Sequence, residues 1–70
     1  MDRIAAALQG AIAENGWTVT KLAVVAGVGE QTGRKWLKGE TAPSGPRLEL
    51  LRRALPGFAA RLDSDRTAVA

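Results

Sequence analysis

Residues 18–39 read TVTKLAVVAGVGEQTGRKWLKG, from Thr18 to Gly39, and the spacings inside this stretch decide the fold. Thr18 is an N-cap residue directly ahead of a run with helical spacing, and the apolar Trp17 before it is placed to staple against Leu22. The run stops at Gly27, a residue type that enters the left-handed region without steric cost. Val24 and Val25 are β-branched and lean towards strand, but the cap, the stop and the short length predict a helix from Val19 to Gly27. Gly27-Val28-Gly29 then makes a tight turn. A second short helix runs from Glu30 to Lys38, with Gly39 as its left-handed terminal residue and Lys35 and Lys38 suiting its negative end. Two short helices can cross closely only if the first presents a small inward residue, here Ala23. They also need a residue tolerant of positive φ four positions later, here Gly27. Leu22, Ala26, Val28 and Trp36 then face inward and clamp the pair to the rest of the core.

Working outward, Asp2 can cap a first helix over about residues 2–14, with Ile4, Leu8, Ala11 and Ile12 at helical spacing and Asn15-Gly16 as its stop. Gly10 inside that helix costs about 1 kcal/mol relative to alanine. On the other side, residues 40–46 form a loop by their Pro, Gly and Ser content. Ser44 is expected to cap a fourth helix with Pro46 in its first turn and Leu48, Leu51 and Leu55 as its apolar stripe. Pro56-Gly57 breaks the chain again, and Phe58 with Leu62 can form a short fifth helix that packs back on the core. The expected architecture is all-α: one domain of four to five helices over residues 1–62, followed by a flexible C-terminal tail, 63–70.

Composition narrows the chemistry. Seventy residues make one domain, which buries only about 60% of the surface of its unfolded chain, so the core is thin. Thirteen residues are alanine, and the aromatic side chains are Trp17, Trp36 and Phe58 alone. The absence of Cys and His removes disulfides, thiolate or imidazole metal sites and imidazole-activated nucleophiles. The acids Asp2, Glu14, Glu30, Glu40, Glu49, Asp63 and Asp65 are scattered, with no pair in an apolar setting, so an enzyme is not expected. Neither a cofactor nor a metal is expected. The net charge is +3 and the pI about 10.2. Six basic residues (Arg34, Lys35, Lys38, Arg47, Arg52, Arg53) stand against two acids between Arg34 and Arg53, whereas residues 1–33 are nearly balanced. That distribution suits a polyanionic partner. No apolar stretch approaches the ~20 residues of a membrane span, and the N-terminus has no signal-peptide pattern. A soluble protein of the bacterial or phage-infected host cytoplasm is the expectation.

Leu22-Ala23, Ala26-Gly27-Val28, Thr32, Trp36 and Gly39 together resemble the motif of the phage-repressor and Cro-like (lambda-repressor-like) helix-turn-helix proteins. The proline-containing loop and the Leu-rich fourth helix extend the resemblance to about residues 2–62. That family places its second motif helix in the major groove of duplex DNA. The resemblance implies base readout by Gln31, whose amide matches adenine N7 and N6, and by Lys35, which suits guanine O6 and N7, or a phosphate. It also brings Glu30 to the groove, where it can accept from cytosine N4 or repel wrong bases. Arg34 and Lys38 flank the groove and suit phosphates, as do Thr18 and Thr20 at the start of the first motif helix. Thr41 in the loop, and Ser44 and Arg47 at the start of the fourth helix, complete the phosphate set. Taken singly, each is an ordinary helix-end or loop residue; the motif alone singles them out.

The same resemblance implies a transcriptional repressor acting as a homodimer on a two-fold operator, with Leu55, Phe58 and Leu62 as exposed pairing surface. One departure concerns Gly33, where most relatives carry Ile or Val. The missing buried aliphatic group leaves a gap, so that either Trp36 fills it or the helix is fully ordered only on DNA. It also predicts that Gly33→Ile stabilises the free protein, unless Gly33 serves close packing. A different class of function is a protein-interaction module of antitoxin or antirepressor-partner type with weak DNA binding, which an acid at groove-facing position 30 would favour. Membrane-surface binding lacks the strongly basic amphipathic helix it needs.

Overall fold

Five α-helices follow one another, their ends set by short-range hydrogen bonding. The computed structural model describes the backbone of residues 3–69 and the side chains of residues 3–63. It contains α1 (Arg3–Asn15), α2 (Val19–Ala26), α3 (Glu30–Lys38), α4 (Pro46–Ala54) and α5 (Phe58–Val69), with no strand among the described residues. The expected all-α class is what forms. The proposed cap Asp2 lies outside the described residues.

At the start of α2, Thr18 has an extended backbone, and its hydroxyl oxygen accepts the Lys21 amide at 3.1 Å. The helix ends at Gly27, with φ 74°. There the Gly27 amide donates to the Val24 carbonyl at 3.2 Å and the Val28 amide to the Ala23 carbonyl at 3.0 Å. This pair of bonds is a Schellman closure, and it requires a left-handed residue at its centre. Any L side chain there costs about 1–2 kcal/mol. The same pairing closes α1, through the Trp17 amide on the Ile12 carbonyl at 2.8 Å. It closes α3 through the Glu40 amide on the Lys35 carbonyl at 3.0 Å.

Two boundaries differ from the sequence reading. Ser44 does not cap α4; the N-cap is Gly45, with φ 56°, and it supplies no side-chain bond. Pro46 therefore occupies the first helical position, where its missing N–H costs nothing, and Ser44 stands one residue too early to reach the amides. At the other end, α5 continues to Val69 rather than stopping near Leu62. The side chains of residues 64–69 lie outside the described residues, and so does the expected flexibility of the 63–70 tail.

Leu8, Leu22, Leu51, Leu55 and Phe58 are fully buried and form one core with Ala7, Ala11, Ala26, Trp36 and Leu62. Ile4, Ile12, Trp17, Val28, Leu37 and Leu48 pack around it half-buried. The inward positions of α1 are largely alanine, and Leu55, Phe58 and Leu62, from the corner between α4 and α5, fill the space left; they are 0%, 0% and 6% exposed. This corrects the expectation that the three form an exposed pairing surface. A chain with so few large apolar side chains needs them inside to close its core. Among the described residues the exposed large apolar side chains are Val24 and Leu50.

Polar contacts tie α1 to the rest. Asn15 Nδ2 donates to the Ala11 and Pro56 carbonyls, each at 2.8 Å, which anchors the turn between α4 and α5. Arg61 of α5 pairs with Glu14 and lies across Gly10, where a Cβ would collide with the guanidinium. Gly10 thus admits a crossing side chain, an offset to its cost within the helix.

Candidate nucleic-acid interface

α3 crosses α2 where neither helix carries a large side chain. Gly33 is buried at the crossing, and a Cβ built on it would sit 3.4 Å from Val19 Cγ2 and 3.7 Å from Ala23 Cβ. The gap expected from the sequence is absent, because the backbone of α3 itself closes against Val19 and Ala23. A methyl group fits at van der Waals distance, but the γ carbons of isoleucine would press into these neighbours. The geometry favours close packing as the reason for Gly33, against the expectation that Gly33→Ile stabilises.

With Gly33 and Trp36 turned inward, the opposite stripe of α3 faces solvent. Gln31, Arg34, Lys35 and Lys38 are all exposed and, with Glu40, line one shallow depression. Their spacing of three and four residues keeps them on one side of the helix. The three cations of α3 exceed its one acid by two. From α1, Gln9 Nε2 donates to the Leu37 carbonyl, bracing the last turn of α3.

The ten residues expected at the site separate into two groups. Glu30, Thr20 and Arg34 are joined: Glu30 Oε1 accepts from Arg34 Nη2 at 2.6 Å, and Oε2 accepts from Thr20 Oγ1 at 2.9 Å. The other side chains of α3, Gln31, Lys35 and Lys38, are exposed and make no hydrogen bond or ion pair among the described residues. Thr18, Thr41, Ser44 and Arg47 are exposed too. Thr18 already occupies the Lys21 amide, so the start of α2 is not an open row of donors. α3 and α4 begin at Gly29 and Gly45 without a side-chain cap, leaving first-turn amides available to an anion.

Two features were missed in the sequence. Lys21 is exposed with its Nζ 5.1 Å from the centroid of the Trp17 ring, a cation–π contact that the four-residue spacing across the cap could have suggested. The bridge from Thr20 to Glu30 spans the turn between helices and has no local signature.

An exposed basic helix, seated by a glycine and a tryptophan on a shorter helix and reached through a glycine turn, defines the helix-turn-helix class. A family model described as helix-turn-helix matches residues 4–57. The chain belongs to this family, that of the phage-repressor and Cro-like proteins, and is a DNA-binding regulator. No curated protein and no solved structure matches the chain. Among the described residues, no helix is long and apolar enough to cross a membrane.

Proposed function

We propose that this protein is a sequence-specific transcriptional regulator of the repressor or Cro kind, which lays α3 in the major groove of duplex DNA. The observation that carries this reading is the exposed stripe of Gln31, Arg34, Lys35 and Lys38, opposite the buried Gly33 and Trp36. Gln31, in the first turn, is a base reader for adenine, and Lys35, one turn on, for guanine. Lys38, Thr18, Thr41, Ser44 and Arg47 meet phosphates, helped by the uncapped starts of α3 and α4.

A single domain of this size discriminates poorly between sites, so the regulator acts as a homodimer on a two-fold operator. Its dimensions, 35 × 22 × 21 Å, let two copies lie side by side with half-sites about 34 Å apart. Their seam does not involve Leu55, Phe58 or Leu62, which are spent on the core. The protein-interaction alternative drew on an acid at groove-facing position 30. Both oxygens of Glu30 are engaged within the motif, which leaves this acid less available to a protein partner.

Selection from a random duplex pool tests the reading, with Gln31→Ala and Lys35→Ala alongside the wild-type protein. The expected result is a two-fold-symmetric consensus for wild type, relaxed at a different position by each variant, with binding that weakens steeply as salt rises. Recovery of the same consensus with undiminished discrimination by both variants would remove their readout roles. Salt-independent binding would count against DNA as the partner.

A further inference from the structure

Thr20, Glu30 and Arg34 form a closed set at the leading end of α3. Thr20 Oγ1 donates to Glu30 across the turn at 2.9 Å, and Arg34 Nη2 donates to Glu30 from one turn further along at 2.6 Å. The set is exposed, with the Arg34 side chain 56% and the Glu30 side chain 42% accessible. An ion pair this open adds little to folding stability, and an acid on a face that meets phosphates weakens overall attraction to DNA. The helix dipole favours an acid in the first turn of α3, but it does not explain why both oxygens of that acid are tied, to Thr20 and to Arg34.

Order at Arg34 does explain it. A free arginine retains its full rotamer freedom, and its guanidinium pairs with a phosphate as well as with a base edge, the former a contact that carries no sequence information. Glu30 restrains one edge of the guanidinium and partly cancels its charge, which reduces its pull towards phosphates. Only one of the five N–H donors is directed at Glu30, so the fork retains the two parallel donors that match guanine O6 and N7. Thr20, rooted in α2, fixes the carboxylate in turn, so the arginine is held by both helices of the motif.

We infer that Glu30 is a specificity-determining positioning residue: anchored by Thr20, it holds Arg34 for reading a guanine rather than a phosphate, and it contacts no base itself. This rests on the placement of α3 in the major groove proposed above.

The test uses wild type, Glu30→Gln, Thr20→Val, Arg34→Ala and the double variant Glu30→Gln/Arg34→Ala, each checked as folded by thermal melting. All are put through duplex selection, then titrated against the selected duplex and a scrambled one at several salt concentrations. Glu30→Gln is expected to lose roughly tenfold in discrimination at one guanine position. Arg34→Ala should relax the same position, and the double variant should relax it no further than Arg34→Ala alone. Thr20→Val should relax it to a smaller degree. Binding of Glu30→Gln to the scrambled duplex should tighten, with a log–log salt slope steeper by about one phosphate contact. An unchanged consensus for Glu30→Gln overturns the inference. So does relaxation at a position different from that of Arg34→Ala, or a loss in the double variant that adds in full. A wild-type protein that selects no consensus overturns instead the proposed function on which the inference rests.

Discussion

At Gly33 a hydrogen atom in place of a side chain sets how closely α3 seats on α2. The atoms that a methyl group at this position would meet first, Val19 Cγ2 at 3.4 Å and Ala23 Cβ at 3.7 Å, lie at ordinary van der Waals distance, so that alanine fills the space between the helices. Gly33→Ala should therefore gain most of the ~1 kcal/mol difference in helix propensity and raise the melting temperature by roughly 4–8 °C. Gly33→Ile should lower it, at a cost of about 1–3 kcal/mol from overpacking. A melt in which isoleucine is the better of the two would show that the helices can part to admit it. The sequence revealed that position 33 lacks a buried side chain, but not the distance between two helices, which no single residue encodes. Gly27 was legible because its demand is local: the chain must turn left-handed there, whatever surrounds it. The Thr20–Glu30–Arg34 set was not, because its members meet only once α2 and α3 have crossed.

Helix ends were read well where one residue dictates them and poorly where two were eligible. The limits of α3 follow from Gly29 and Gly39, and α2 starts after Thr18 as its side chain requires. At α4 both Ser44 and Gly45 suit an N-cap, and the better-capping type is not the one used. Placing Pro46 strictly at the first helical position would have selected Gly45. Two substitutions separate these cases. Thr18→Ala should cost about 1 kcal/mol through loss of the Lys21 amide bond, seen as a lower denaturation midpoint. Ser44→Ala should stay within about 0.5 kcal/mol of wild type. A comparable loss from Ser44→Ala would mean that its hydroxyl supports the helix by a route other than capping.

On the scale of the whole molecule, the class and order of the helices were visible in the sequence, and so was the packing of Phe58 and Leu62 back on the core. What was not visible is that Leu55, Phe58 and Leu62 are buried too deeply to serve as a pairing surface. Periodicity assigns a face to each apolar residue, but whether the core has room for it depends on what every other helix contributes. Here α1 supplies mostly methyl groups, and the corner between α4 and α5 must supply the bulk. Leu55→Ala should cost about 2–5 kcal/mol and Phe58→Ala about 3–5 kcal/mol. The total for a chain of this length is about 4–10 kcal/mol, so either protein should be largely unfolded at modest urea concentrations. If these residues lay in a pairing seam, the variants would instead melt normally and sediment as monomers. The two tryptophans follow from the same packing and differ in depth: Trp36 is 4% exposed behind α3, and Trp17 is half-buried beside Lys21. In Trp17→Phe the remaining fluorescence comes from the hidden side of α3. If that helix is already rigid before it meets a duplex, the emission should stay blue and resist iodide quenching both before and after DNA is added. A spectrum that is red-shifted until DNA arrives would reveal a reading head assembled by its target.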